Sequence, residues 1–382
     1  MILIELFYLI ATFTNAIEYY NTSFVSNYFD QRKKRAILNG EINKWTKKSL
    51  LYFVNSKVSR NFIKSALIRI QKETCFKFVR APSLKHADLY FTWGAHYTTN
   101  LGKNKKTHHT IFVSIFHQDI GKTVREVLRA LGIDYEHNRF DRDKYITVNK
   151  HNILPLFLPL FLTNNIFKVT TYNTEYDYRS IMHFTNTEYA IRGLRTFVVK
   201  DKLMKYSIGR TNHLSFNDAK LLNLKYCTNT VIMKHTQCHN NGYPIIIPGR
   251  LCKCLPFFYG PKCQYFVLNK QHCSRINKFK AKPFFSRRTL NLGGNCYFLF
   301  ETKPGYRIKL MIFFFRNMIS QHNCSHDEIL EILYRKDLSV GGAIICPNFK
   351  PVRITSQSNR MVLHSNYANK AYKIKVLFMR VP

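Results

Sequence analysis

Acid is what this sequence lacks. Against 59 lysines and arginines it has only 22 aspartates and glutamates, a formal charge of +37 over 382 residues. Such an imbalance attracts polyanions over long range. It reads equally well as compositional drift, because Lys, Asn, Ile, Phe and Tyr are abundant together, as in AT-rich genomes. No window combines a basic stripe with the aromatic spacing of a nucleic-acid motif, so nucleic acid is not an expected partner. Long apolar runs are missing too. Met1 to Phe13, apolar but for Glu5, and Ile153 to Leu162, interrupted by Pro155 and Pro159, both fall short of the roughly 20 residues that a spanning helix needs. No transmembrane anchor is therefore expected. There is no tandem repeat, no low-complexity tract and no zinc ribbon: Cys252-Lys253-Cys254 is too tight a spacing, and no histidine cluster completes a four-ligand set.

What is present points outward from the cell. The apolar start ends in Thr14-Asn15-Ala16, which suits a signal peptide over residues 1–16. Ten cysteines, mostly C-terminal, read as an oxidised framework, so the chain is expected to be secreted and extracellular. Gln31-Arg32-Lys33-Lys34-Arg35 is a basic run of the kind secretory convertases cut, making residues 17–35 a short propeptide with processing at Arg35. For a secreted chain, the polyanions available are sulfated glycans and anionic membrane surfaces.

At this length one core does not suffice, and two or three domains are expected. Leu50 to Val54 reads as a strand, followed by a helix opened by Ser59 with Phe62, Ala66, Leu67 and Ile70 on one face. Cys75 to Val79, Leu89 to Trp93 and Thr110 to Phe116 read as further strands, giving an α+β domain. A second helix over Thr123 to Leu131 places Val124, Val127, Leu128 and Leu131 on one side, and Gly132 ends it. Arg125, Glu126 and Arg129 are then expected on the opposite face, away from the core. From Cys227 onward, close cysteines and turn residues mark a small stapled module. Residues 273–382, with runs such as Cys296 to Glu301, Arg307 to Phe315 and Tyr372 to Met379, read as a β-sandwich.

Arg125-Glu126-Val127-Leu128-Arg129-Ala130-Leu131-Gly132-Ile133-Asp134-Tyr135 resembles the H-E-x-x-H-x-x-G-x-x-H signature of the astacin family of zinc metalloendopeptidases, which are metzincins. Glu136-His137-Asn138-Arg139 extends it. Tyr176 to Phe184, around Ser180-Ile181-Met182-His183-Phe184, resembles the family's Met-turn, and Lys44-Trp45 with Ile70 to Phe78 resembles the start of its mature domain. The resemblance implies a metzincin-like protease domain over residues 36–227, an EGF-like module over 228–264 and a CUB β-sandwich over 273–382. It also shows departures. Arg125, Arg129 and Tyr135 stand on the three zinc-ligand positions, and Phe184 stands where the family has tyrosine.

The i, i+4 histidine pair works because one helical face aims two neutral imidazole nitrogens at one metal. A guanidinium has no lone pair and repels a cation, so no zinc or other cofactor is expected; zinc would be the cofactor if the family's activity were retained. Without the metal, water's pKa stays near 15.7 rather than about 7, which adds roughly 12 kcal/mol to forming hydroxide. Glu126, the general-base position, cannot make that up. It reads as vestigial, either as a capping-box glutamate with Thr123 or as the partner of an arginine. An Arg125 or Arg129 ion pair with Glu126 is the expected electrostatic replacement for zinc. His137 and His183 are the nearest candidates for a rebuilt site, but neither lies on a ligand position.

Further implications concern processing and staples. Glu136 resembles the glutamate that holds the family's new N-terminus. The resemblance pairs Cys75 with Cys227, Cys238 with Cys252, Cys254 with Cys263, Cys273 with Cys296 and Cys324 with Cys346. Asp327 fits one acidic calcium position of CUB domains, while Ser365-Asn366 replaces a second. Asn21 and Asn323 head glycosylation sequons. The functional expectation is a secreted pseudoprotease that binds extracellular proteins or peptides and, through its charge, anionic glycans. The rivals are a residually active zinc endopeptidase and a polyanion-binding matrix protein.

Overall fold

The computed structural model describes residues 37–38, 43–104, 108–163, 169–209, 213–228, 235–247, 250–321 and 328–382. The expected signal peptide, propeptide, Arg35 site, Asn21, Asn323, Cys324 and Asp327 lie outside them.

The N-terminal half is built on a five-stranded sheet of order β3-β2-β4-β6-β5: β2 (Ser49–Val54), β3 (Lys77–Arg80), β4 (Leu89–Gly94), β5 (Thr98–Thr99) and β6 (His109–Ser114). Only β5 runs antiparallel to its neighbour. Two helices cover it. In α1 (Arg60–Glu73) Ser59 caps the first turn by accepting from the Phe62 amide, and Ile63, Ala66, Leu67 and Ile70 face the core. Ile63, not the expected Phe62, completes the buried face. The second helix, α2 (Ile120–Ala130), starts three residues before the expected Thr123, because Asp119 accepts from the Lys122 amide and caps it. A capping box on Thr123 and Glu126 is thereby excluded. Gly132, at φ +95°, lets the chain leave α2 while the Ile133 amide still reaches the Leu128 carbonyl.

Below α2 the chain has little regular structure beyond short turns and two small ladders. One pairs β1 (Ile37–Leu38) with β8 (Val169–Thr170), the other β7 (Ile146–Val148) with β9 (Phe197–Val199). The apolar run Ile153 to Leu162 folds as a 3₁₀ helix over Pro155–Phe161. Helix α3 (Phe216–Leu222) opens with a capping box between Ser215 and Asp218, and a π turn (Asn223–Cys227) carries the chain to the Cys75–Cys227 disulfide. This bridge closes a loop of 152 residues.

The next module is two hairpins, β10 (Tyr243–Ile247) with β11 (Arg250–Lys253) and β12 (Phe258–Tyr259) with β13 (Tyr265–Phe266). Bridges Cys238–Cys252 and Cys254–Cys263 staple it. The C-terminal part is a sandwich of two sheets. One is ordered β14-β16-β21-β18-β19: β14 (Lys278–Lys280), β16 (Asn295–Glu301), β18 (Ile329–Leu333), β19 (Ala343–Ile345) and β21 (Arg360–Asn366). The other is ordered β15-β22-β17-β20: β15 (Ser286–Asn291), β17 (Arg307–Phe314), β20 (Val352–Thr355) and β22 (Lys373–Val381). Phe279 and Phe300 of one sheet meet Phe378 of the other at 5.7 and 5.0 Å between ring centres. Cys273–Cys296 ties the sandwich at its entry, and Cys346 is also disulfide-bonded.

The sandwich docks directly on the N-terminal domain. The Ser207 hydroxyl donates to the Gly342 carbonyl and accepts from the Ile344 amide, at 3.0 and 2.9 Å. The Gly341 amide donates to Asp177, and Arg179 pairs with Glu331. Burial alone would raise Glu331, but Arg179 and His364 outweigh it and hold the carboxyl well below the usual range.

Candidate functional site

All three side chains of α2 expected to face away from the core are buried: Arg125, Glu126 and Arg129 are 2–3% exposed. The helix face that looks polar in sequence is roofed by residues 134–135 and 181–188, so the expectation of an outward face fails for a tertiary reason. The α2 end is held from the other side too, by the Trp45 indole donating to the Ala130 carbonyl at 2.8 Å.

Arg125 is fully engaged. Its Nε donates to the Ile181 carbonyl at 2.9 Å, its Nη2 to the His183 carbonyl at 3.2 Å, and its Nη1 to Glu188 Oε1 at 2.8 Å. Burial would raise Glu188, yet Arg125 and Lys122 keep it below its ordinary value. Arg129 donates to Asp134 Oδ1 at 3.1 Å and lies 4.2 Å over the Tyr135 ring. The ion pairs thus go to Glu188 and Asp134, which corrects the expected pairing with Glu126. Glu126 instead accepts from the Tyr135 hydroxyl at 3.1 Å through Oε1, while its Oε2 is buried without a hydrogen-bond partner. Burial pushes this carboxyl up to about 7, against the opposing pull of Arg129, Arg125 and Tyr135. Both arginines therefore act on Glu126 through space. Neither Glu188 nor Asp134 carries any sequence signal for these roles.

The Met-turn is packed beneath. Met182 is fully buried, and its carbonyl accepts from the Glu136 amide. Asp218 of α3 accepts from the Ser180 hydroxyl at 2.6 Å and from the Ile181 amide at 2.9 Å, anchoring the turn. His183 bridges the Tyr176 hydroxyl, at 2.6 Å from Nε2, and the Phe184 carbonyl, at 2.8 Å from Nδ1. A carbonyl can only accept, so Nδ1 carries the proton and Nε2 is committed to Tyr176. Burial lowers His183 to about 4. His137 lies against Phe184, 4.2 Å between ring centres, and its Nε2 donates to the Leu160 carbonyl. Both histidines are core residues. Phe184 also contacts Tyr135 and Phe161, so the region below α2 is a continuous aromatic cluster.

Glu136 accepts from the Asp177 amide at 2.8 Å and from Arg139, and burial raises it to about 8. Ala36, its expected partner, lies outside the described residues. Ile37 is buried and bridges to Ile133, and the Leu38 amide donates to the Gly132 carbonyl.

Comparison with known proteins decides the family. The model of the astacin peptidase family matches residues 37–227, half of the chain. The chain belongs to the astacin family. Among curated relatives of this astacin, zinc metalloproteinase nas-34 of Caenorhabditis elegans is 25% identical over 340 residues, 87% of this chain and 55% of that protein. Zinc metalloproteinase nas-36 of Brugia malayi is 33% identical over 162 residues, 42% of this chain and 28% of that one. The chain spans at most about half the length of these two relatives. Among solved structures, high choriolytic enzyme 1, a hatching-enzyme zinc protease of the medaka Oryzias latipes, matches at 26% identity and a TM-score of 0.43, over 48% of this chain and 92% of that one.

The family's relatives are zinc enzymes, yet Arg125, Arg129 and Tyr135, which by resemblance match the signature's three histidines, do not fit zinc. Two guanidiniums cannot donate an electron pair. The Tyr135 hydroxyl is spent on Glu126.

Proposed function

We propose that this astacin-family chain is a secreted, non-cleaving relative of the zinc endopeptidases that acts by binding extracellular partners. The single observation that carries the reading is the commitment of Arg125. All three of its donor nitrogens are used on the Met-turn carbonyls and on Glu188. A cation held in that way supplies the positive charge that neutralises a carboxylate and orders the turn, without offering the Lewis acidity that activates water. Glu126 remains, but a lone carboxyl does not replace a metal worth roughly 12 kcal/mol in water activation.

Secretion belongs to the same reading. Four disulfides among the described residues fit an oxidising compartment, and no described helix is long and apolar enough to cross a membrane. The two stapled hairpins read as an EGF-like module and the sandwich as a CUB domain. Both are binding modules, with extracellular proteins, peptides or anionic glycans as the partner classes.

The test is metal content together with proteolysis. The purified, dialysed chain is expected to hold no stoichiometric zinc and to leave casein and gelatin intact. One zinc per chain, with chelator-sensitive cleavage, would replace this reading by that of an active endopeptidase.

A further inference from the structure

The apolar run Ile153 to Leu162 has a second side that the peptidase-like fold does not use. A 3₁₀ helix repeats every three residues, so Pro155–Phe161 and its continuation carry three rows of side chains. Two rows make the inward contacts, with only their end residues Pro155 and Thr163 exposed. Phe161 packs on His137 and Phe184, and Phe157 lies 4.2 Å from Tyr189 and 5.1 Å from His96 between ring centres. The third row, Leu156, Pro159 and Leu162, lies outward, with Leu156 37% and Leu162 47% exposed.

The neighbouring strand segment extends this face. Ile153 bridges antiparallel to Ala190, with amide-to-carbonyl bonds from Leu154 to Tyr189 and from Ile191 to Asn152. Side chains alternate across such a ladder. Because Ile153 is buried, Leu154 and Ile191 stand together on the opposite side, 40% and 39% exposed.

The charge around this face has one sign. Residues 144–174 and 189–200 contain no aspartate or glutamate. Lys150, Arg192 and Arg195 are exposed beside it, and side chains of Asn149 and Asn152 tie the Arg195 carbonyl to the same ladder. Asp143, at the Leu162 end, is paired with Arg142.

We propose that the Leu156–Pro159–Leu162 row, with Leu154 and Ile191, is an interfacial docking surface for an anionic lipid bilayer. Apolar side chains enter the headgroup boundary while the basic rim meets lipid phosphates and carboxylates. A second copy of this chain would bring like charge against like charge across the same contact, which disfavours self-association. The proposal is independent of whether the chain cleaves peptides.

The test uses the full chain and co-sedimentation with phosphatidylcholine vesicles, with and without phosphatidylserine. Binding is expected only with phosphatidylserine. Leu156→Ser with Leu162→Ser is expected to weaken it roughly tenfold or more, from lost apolar burial. Arg192→Gln with Arg195→Gln is expected to weaken it by roughly the same factor and to flatten its salt dependence. If the double leucine variant is misfolded by circular dichroism, Leu154→Ser alone gives the same reading with a smaller loss. Three results would overturn the proposal: no binding to anionic vesicles; binding that a sulfated glycan competes away and the leucine changes leave intact; or a concentration-dependent dimer that the leucine changes dissolve.

Discussion

The two large domains bury charge in opposite ways. Under α2 the astacin domain encloses Arg125, Glu126, Arg129, Asp134, Glu136 and His183, all less than a tenth exposed. Between its sheets the sandwich encloses apolar side chains such as Phe298, Phe300, Ile312, Leu363 and Val376. Its buried charges, Glu331, Arg335 and Asp337, lie where it meets the other domain, the first two on Arg179 and Glu175 and the third linked through Ser339 to Asn217. An ordinary core excludes charge because desolvating an ion costs several kcal/mol unless a partner repays it. Buried charge among the described residues therefore gathers at two places: beneath α2, around the segment that resembles the family's signature, and at the joint between domains.

The largest expected effect breaks the first place. Arg125→Ala strands two carbonyls in the interior and leaves Glu188 only the longer Lys122 contact and the Thr185 amide, and a loss of about 3 kcal/mol is expected in denaturant unfolding. Arg125→Met combined with Glu188→Leu should recover only the share due to uncompensated charge, because the Ile181 and His183 carbonyls and the Thr185 amide stay unpaired. A double variant no better than Arg125→Ala would mean that the pair matters for more than its mutual neutralisation.

A second comparison uses pH. Glu126 and Glu136, raised to about 7 and about 8, hold protons in the folded state that the unfolded chain has already lost. Their stabilising share is complete below the ordinary carboxyl value and is lost as pH rises through the folded values. The buried histidines His109 and His183, lowered to about 4, work the other way, but only up to the ordinary histidine value of about 6.5. From pH 6.5 to 8 the carboxyls alone remain, and the astacin domain should lose about 2 kcal/mol. The sandwich, whose Glu331 is already ionised throughout that range, should not respond. Calorimetry of the wild type and of Glu136→Gln checks this, the variant being flatter.

The joint gives an effect of similar or smaller size. A methyl group on Gly341 would sit 2.5 Å from Arg179 Cβ, so Gly341→Ala is expected to cost about 1 to 3 kcal/mol. It should also let the two domains unfold separately. Unchanged, coincident transitions would show that the joint yields without loss.

Much of this was legible beforehand. The strand and helix pattern of residues 49–130, Gly132 as the α2 terminator and the sandwich strands follow from periodicity and turn chemistry, and Met182 in its turn from the family resemblance. The four described disulfides join pairs that the family resemblance implies. Where the reading failed, it used one helix at a time. Arg125, Glu126 and Arg129 look like a solvated face until the Met-turn segment, some 56 to 63 residues onward, closes over them. Glu188 has no motif, and its role exists only through Arg125.

Donor chemistry is set by residue identity alone. An arginine such as Arg125 or Arg129 offers no electron pair to a metal in any fold, and that holds before a single contact is known. Only the tertiary structure decided where those guanidiniums would spend their hydrogen bonds, because Ile181, His183 and Glu188 reach Arg125 by packing rather than by sequence proximity. It likewise decided which leucines of Ile153 to Leu162 face inward. Composition makes them alike, and the three-residue turn with its neighbours sorts them.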